Sequence, residues 1–533
     1  MFLKYHFKSI FDNCRVSGFF CYYVVAMQKV LTAEEMREVD RLTTEKYGIP
    51  SIILMENAAQ MTVRIITEKL GGSVKDKSFL ILCGKGNNGG DGAALARILT
   101  SQGADVYTFL FGKIEDTKGD ARINFEILQK FMNLNEEDAG TVFWDENVDL
   151  LGELLATIEI VNKFDVVVDA FFGTGLTRPL EGSLASRIDT VFNLLSYSKH
   201  KKPLIVSVDL PSGLNADSAE LIGENIYADL TVTFTAPKIA NVFPPASSFN
   251  GEVVVANIGS HQKLIEDSPS KLFLAEREDC QDWLWRTGYK KGSYKSKRGH
   301  ALLIVGSKNY TGAAVLAGNA AMVSGVGLVT IGTSETAQVS VAGRVLPEVM
   351  TQGLPETEKG AVSERAFEQI KNLSKKADVM AIGSGLNSEQ ETTRKLVREI
   401  VANRTTPMVI DADGLNSLSP FDRQGSDDLP LVLTPHEGEF LRLLGTDDKN
   451  VIKDRIGTVR NFAEKHGVIL VLKGEQTLIA EPGGQVVINP TGNPGLGKAG
   501  NGDNLTGIIA GFIAQGVQAK VGIFETVVAA VYL

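Results

Sequence analysis

Short apolar runs, each ending in a polar turn that opens into a helical stretch, recur along this chain and restrict its fold more than any other feature. The first is residues 79–83 (FLILC), followed by a glycine-rich turn and a helical stretch from Gly90 to Thr100. The pattern returns at 105–111, 166–171 and 204–210, and residues 230–235 add another strand. A strand apolar along its whole length has both faces buried, and strands separated by helices lie parallel. The expected architecture is therefore α/β, a parallel sheet covered on both sides.

A second series begins at residues 301–305 and continues through 327–331, 379–382, 408–411, 431–433 and 469–472. Between the series, over residues 260–298, periodicity fades and charge rises into KKGSYKSKRGH, which reads as a solvated linker. A chain of 533 residues is long enough for two or three domains of about 100 to 200 residues each. The expected division is a domain over 27–260, a linker and entry segment over 261–298, and a second domain over 271–533 with its boundary near Lys271.

Residues 1–26 are expected to lie outside the fold. The apolar run 19–26 behind a few lysines resembles a signal peptide, but an early start codon with Met27 as the true start is the preferred reading. From Met27 the sequence opens an amphipathic helix with Thr32 as N-cap and Glu35 three residues on. The chain stops at AAVYL inside an expected helix, so the natural C-terminus is expected to lie further on.

A formal net charge of −10 supplies no general attraction for polyanions, so nucleic acid is not expected as a partner and any phosphate must be held by local geometry. Cys14, Cys21, Cys83 and Cys280 show no metal-ligand spacing, which points to a reducing compartment. No apolar run reaches the roughly 18 residues of a membrane span. A soluble cytoplasmic homo-oligomer without membrane contact is expected.

The loop from Gly84 to Gly92 lies between a strand and a helix, where free amides and the helix dipole favour an anion. Gly84, Gly86 and Gly89 satisfy G-x-G-x-x-G, yet the next strand ends at Gly112 and Lys113 without the acid that would hold a ribose, so a redox dinucleotide site is disfavoured. Two more loops, 168–175 around Asp169 and 208–213 around Asp209, fall at carboxyl ends of strands. Each acid alone reads equally well as a cap or turn former. Three such loops at one sheet edge form a candidate site.

In the second series, residues 491–507 bring glycines, Asp503 and a helix N-terminus together. Gly492 to Lys498 falls short of a Walker A loop because Ala499 replaces the hydroxyl residue. Gly500-Asn501-Gly502-Asp503 fits instead a turn that sets a carboxylate base against a hydroxyl while amides stabilise a transferring phosphate. His436 alone would read as a hydrogen-bonded core or turn residue, and Lys473 as a surface charge.

Met55-Glu56-Asn57-Ala58-Ala59, the segment Asn87 to Asp91, Asp169 with its Gly-Thr-Gly, and Asp209-Leu-Pro-Ser-Gly together resemble the NAD(P)H-hydrate epimerases over about residues 27–260. Ala59 stands where that family usually has Gly, a tolerated packing change. The resemblance implies a Rossmann-like three-layer sandwich. It implies substrate contacts from Asn87, Asn88, Gly89, Gly90, Asp91, Gly173, Thr174, Gly175, Leu176, Thr177, Arg178, Pro179 and Asp209, and a potassium ion on Asn88, Asp169 and Ser212. Interconversion of C6 epimers needs a proton carrier, and Asp169 and Asp209 both stay open for it.

Gly306-Ser307 with Tyr310 to Ala314, Gly383 to Asn387, Asp411 to Asn416, Thr434 to Glu439, Leu472 to Gly474 and Gly500 to Asp503 resemble, in order, the ribokinase-like NAD(P)H-hydrate dehydratases. That likeness implies substrate contacts from Ala314, Gly385, His436 and Asp503, with Asp503 as general base. It implies ADP or ATP with Mg2+ on Lys473, Gly474, Glu475, Gln476 and Thr477 and on Asn493, Pro494, Gly495, Leu496, Gly497, Lys498, Ala499, Gly500, Asn501 and Gly502. Residues 321–324 lack an Arg that the family commonly carries there. The implied substrates are hydrated NADH and NADPH. The rival readings are a small-molecule kinase behind, and a non-catalytic nucleotide-binding module in front.

Overall fold

The structure, a computed structural model, describes residues 27–133, 141–144, 164–179 and 202–533. The extension 1–26, with Cys14, Cys21 and the apolar run 19–26, lies outside the described residues. The chain divides into two compact units that meet in sequence at Ser270 and Lys271.

The first unit opens with α1 (Ala33–Tyr47) and α2 (Ser51–Lys69). Thr32 caps α1 reciprocally with Glu35: each side chain takes the other's backbone N–H, at 2.8 and 3.2 Å. Strands β1 (Ser78–Cys83), β2 (Asp105–Phe111), β3 (Thr141–Trp144), β4 (Val166–Ala170), β5 (Leu204–Val208), β6 (Leu230–Phe234) and β7 (Glu252–Ala256) form one sheet in the order β3-β2-β1-β4-β5-β6-β7. Every neighbouring pair is parallel. The chain walks outward from β1 and returns to β4 on the opposite side, so the order reverses between β1 and β4. Ligands bind parallel sheets in the crevice beyond such a reversal.

After β1 comes α3 (Asn87–Ser101), which begins three residues before the expected Gly90. Its glycines are packing residues. A Cβ at Gly89 would lie 1.8 Å from the Gly84 carbonyl oxygen, and one at Gly92 would lie 2.7 Å from Cys83 Sγ. Helix α4 (Gly119–Asn133) follows β2.

The second unit holds β8 (Leu272–Leu274), β9 (His300–Ile304), β10 (Leu328–Ser334), β11 (Met350–Leu354), β12 (Val379–Ile382), β13 (Met408–Ile410), β14 (Leu431–Leu433), β15 (Ile469–Leu472), β16 (Leu478–Ala480) and β17 (Val486–Ile488). They are ordered β8-β17-β16-β15-β14-β13-β12-β9-β10-β11, parallel except where β16 pairs antiparallel with β15 and β17. A second reversal falls between β9 and β12.

The basic segment is not a solvated linker throughout. Arg298 donates to the Thr287 and Gly325 carbonyls and to Gln515. Just upstream, α5 (Arg277–Thr287) seats Trp283 in the core, stacked on Phe512 at 4.0 Å with its indole N–H on Thr526 at 3.0 Å.

Four more helices frame the second site: α6 (Thr311–Val323), α7 (Glu437–Leu444), α8 (Arg455–His466) and α9 (Asn501–Ala519). Helix α9 lies against α6 closely enough that a Cβ at Gly507 would come within 2.1 Å of the Ala317 carbonyl oxygen.

Candidate functional sites

In the first unit the loops after β1, β4 and β5 converge at the reversal. Asp169, at the end of β4, has no exposure. Its Oδ1 accepts from Ser212 Oγ at 2.6 Å and Phe171 N at 3.4 Å, and its Oδ2 from Ser207 Oγ and Ser212 N at 2.8 Å each. Burial pushes its carboxyl up to about 6 against those four donors. Asp169 is thus an internal strut.

Asp209 differs. It takes φ +66°, a conformation that L residues rarely hold unless the surroundings fix it. Its Oδ1 meets the fully buried Lys238 at 2.5 Å and Thr233 Oγ1 at 3.2 Å. Its Oδ2 and Asn88 Oδ1 converge on Gly173, where a Cβ would lie 3.1 and 3.3 Å from them. Gly173 therefore leaves room beside two polar groups. Asn88 Nδ2 is buried with no partner among the described residues. Asp91, one turn into α3, is held well above the usual carboxylate range by burial, then by the nearby Asp209 and Asp40. Beyond Gly173, Leu176 is buried, while Gly175, Thr177, Arg178 and Pro179 are exposed on the rim.

Sequence reasoning missed Lys238 and Asp40. Lys238 stood as a lone cation in an apolar stretch, which was a usable signal. Asp40 falls on the buried face of α1 between Met36 and Thr43, an acid at an apolar position that was likewise a usable signal, and its carboxyl is raised to about 6 by burial.

Asn88, Asp169 and Ser212 bring amide, carboxylate and hydroxyl oxygens, which suit an alkali cation by type; here Asp169 accepts four hydrogen bonds, one of them from Ser212 Oγ.

In the second unit the hub is Asp411, just beyond β13 and 2% exposed. Its Oδ1 accepts from Thr434 Oγ1 and from Lys473 Nζ, both at 2.8 Å, and its Oδ2 from Thr506 Oγ1 at 3.0 Å and Ser384 Oγ at 3.4 Å. Ser384 also lies beside Asp503, in the first turn of α9. Burial raises Asp503 above the usual carboxylate range, Asp411 adds to that, and Ser384 and Lys473 oppose it. Gly383, at φ +136°, lets this edge close: a Cβ there would lie 1.9 Å from the Asp411 carbonyl oxygen.

His436 caps α7. Its Nδ1 accepts from Gly438 N at 3.0 Å and Glu439 N at 3.3 Å, so in the neutral ring the proton sits on Nε2. Lys473 Nζ is also 3.9 Å from buried Glu439, so it is no free surface charge. Gly474 packs on Arg455, Gln476 takes φ +51°, and Glu475 and Thr477 complete that turn.

Two expectations change. Ala314 is completely buried, its methyl against Gly306, and presents no surface to a ligand. The anion nest is also smaller than residues 493–502. The amides of Gly495, Leu496, Gly497 and Lys498 are used inside the turn Pro494–Leu496 and its flanks. Beyond them, Asn501 N reaches the Lys498 carbonyl at 3.5 Å. Among the described residues, the amides of Ala499, Gly500, Gly502 and Asp503 carry no such bond, and no side chain caps α9. These four remain for a phosphate.

A family described as NAD(P)H-hydrate dehydratase matches residues 301–533, and one described as YjeF-related protein N-terminus matches 51–240. The bifunctional NAD(P)H-hydrate repair enzyme Nnr of Moorella thermoacetica is 42% identical over 495 residues, covering 92% of this chain and 89% of its own. That of Thermofilum pendens is 36% identical over 501 residues, covering 93% and 90%. Among solved structures, the ADP/ATP-dependent NAD(P)H-hydrate dehydratase from Bacillus subtilis co-crystallized with ATP/Mg2+ is 34% identical. Its TM-score is 0.39, and the match covers 46% of this chain and 81% of that one.

Proposed function

The chain belongs to the family of bifunctional NAD(P)H-hydrate repair enzymes, and we propose that its first unit epimerises the hydrate at Asp209 while its second dehydrates it at Asp503. It is an enzyme of nicotinamide nucleotide repair that joins an epimerase to a dehydratase.

For dehydration, the chemistry to be done is removal of a hydroxyl at C6, and hydroxide is a poor leaving group. Asp503 takes the C6 hydroxyl proton as the oxygen attacks the terminal phosphorus of ADP, releasing AMP. Phosphate then leaves C6 with its bonding electrons, solvent takes the proton from C5, and the C–H electron pair becomes the returning ring double bond. With ATP the same steps release ADP. The open amides of Ala499, Gly500, Gly502 and Asp503 face the charge that develops on the transferring group. Lys473 is committed to Asp411, which holds the nucleotide-side turn in place.

Among the described residues no cluster of three carboxylate, His or Cys ligands exists. Mg2+ needs none when it arrives on a nucleotide's phosphates, where it would neutralise their charge. ADP is the proposed donor, with the S epimer as the hydrate consumed.

The observation that carries this reading is a half-buried carboxylate in the first turn of α9, beside Ser384 and unbonded amides. Asp503→Asn tests it: dehydration of hydrated NADH, followed by the return of dihydronicotinamide absorbance, should fall by at least about 1000-fold. Retained dehydration would refute the base.

For epimerisation, Asp209 rather than Asp169 is the proposed proton carrier, because its second oxygen faces the space beside Gly173 whereas Asp169 has no exposed atom. Potassium dependence rests on the family resemblance alone. Comparing epimer exchange in potassium and tetramethylammonium buffers tests it. A homo-oligomer in the cytoplasm completes the proposal; no helix among the described residues is long and apolar enough to cross a membrane.

A further inference from the structure

A cavity of about 580 Å³ opens in the second unit between the loop after β12, the segment after β13 and the end of α7. Two guanidinium groups line it. Arg394 Nε donates to the Ser388 carbonyl, and Arg442 Nε donates to Asn416 Oδ1 at 2.9 Å. Each arginine is thereby oriented by its Nε, and among the described residues neither forms an ion pair or has a hydrogen-bond partner at its Nη atoms. Asp447, at the exposed rim, is the cavity's one acid. A pair of unneutralised, pre-oriented guanidiniums in an open, shallow site is an arrangement that accepts phosphate oxygens in bidentate fashion.

The cavity adjoins the proposed substrate edge on both sides. Ser388, three residues beyond Gly385, donates its hydroxyl to Asp413 at 2.7 Å, which also takes the Asn387 amide at 2.8 Å. On the other side, a Cβ built on Gly438 would lie 3.2 Å from His436 Cε1 and 3.8 Å from Arg442 Nη1. A ligand that reaches from His436 along α7 meets Arg442 next.

Building on the dehydratase reading, we infer that this Arg394–Arg442 cavity binds a phosphate of the hydrated dinucleotide remote from the reacting ring. The ring end of the substrate lies toward Asp503 and His436, and the molecule's only strong anions are its pyrophosphate and, in the NADP form, the 2′-phosphate. Both present the same oxygen chemistry to the two guanidiniums. Neither arginine touches the reacting carbon, so their contribution is to binding.

Steady-state dehydration by the full chain tests this, with hydrated NADH and hydrated NADPH as separate substrates and Arg394→Gln, Arg442→Gln and the double variant. The double variant should raise KM about tenfold or more while kcat stays within about twofold, as expected for losing charged hydrogen bonds to a remote group. A rise for both substrates assigns the pyrophosphate; a rise for hydrated NADPH alone assigns the 2′-phosphate. KM unchanged for both substrates, or a fall in kcat with KM unchanged, overturns the inference. If the double variant fails to fold, Arg442→Gln alone carries the test, because that side chain is exposed. Failure of the wild-type chain to dehydrate either hydrate would instead sink the underlying dehydratase reading.

Discussion

Asp411 and Asp503 are two carboxylates of different task close enough to feel each other's charge. The negative charge of Asp411 helps hold Asp503 above the usual carboxylate range, while Ser384, which donates to Asp411 at 3.4 Å, and Lys473 oppose that shift. A base with a raised pKa loses its proton only at higher pH, so the acid limb of the dehydration profile should lie above the ordinary carboxylate region near pH 4. Asp411→Asn removes the repelling charge and frees Lys473 to act on Asp503, and both changes favour the ionised form. The limb should therefore move to lower pH in a kcat/KM profile; an unmoved limb would mean that the limb does not report Asp503. The same substitution breaks a buried ion pair and should cost about 3 kcal/mol in a denaturant titration. In the first unit, Asp169 offers a stability counterpart. Its folded carboxyl titrates near 6 against 3.8 unfolded, so the neutral form favours the fold: that contribution is complete below about pH 4 and is lost as pH rises through about 6. Its size is about 3 kcal/mol. Unfolding free energies at pH 4 and 7 should differ more for wild type than for Asp169→Asn by roughly that amount.

At the scale of elements, what could be read from the sequence followed from how much each run must bury. Strands such as residues 79–83 and 379–382 are apolar on both faces and were legible as such. Met350–Leu354 is half exposed, and Leu478–Ala480 and Val486–Ile488 are joined in antiparallel pairings without intervening helices, so none of them shows the apolar-run-then-helix pattern. Glycines proved to serve two purposes that composition cannot separate. Gly500, at φ +91°, starts α9 and leaves amides free, whereas Gly89, Gly92 and Gly507 permit backbones to touch. The site residues followed motifs, but Lys238 and Asp40 acquired their roles only through folding, since neither neighbours Asp209 in sequence. Close approach yields a prediction. Gly507→Ala would place a methyl 2.1 Å from the Ala317 carbonyl oxygen and must push α6 from α9, costing about 2 to 3 kcal/mol. Because α9 carries Asp503, dehydration should fall with it while epimer exchange stays unchanged, as the two assays run on the same preparation will show.

Across the whole molecule, the two activities stand in series on one substrate: hydration yields both C6 epimers, and a dehydratase that takes one of them can clear the mixture only if the other is converted. The residues assigned to each step lie in separate units divided at Ser270 and Lys271, so losing one carboxylate should remove one step and leave the other. Asp209→Asn should leave a chain that dehydrates about half of an epimeric mixture at the normal rate and then slows to the spontaneous rate of epimer exchange. Asp503→Asn should equilibrate the epimers and return no dihydronicotinamide. Mixing the two variants separates positioning within a chain from simple sequence of reactions. If the released hydrate diffuses between sites, the mixture should clear both epimers at a rate set by the concentration of each variant, and biphasic kinetics should vanish. Persistence of the two phases at high concentrations of both variants would mean that the hydrate passes between units of one chain without release.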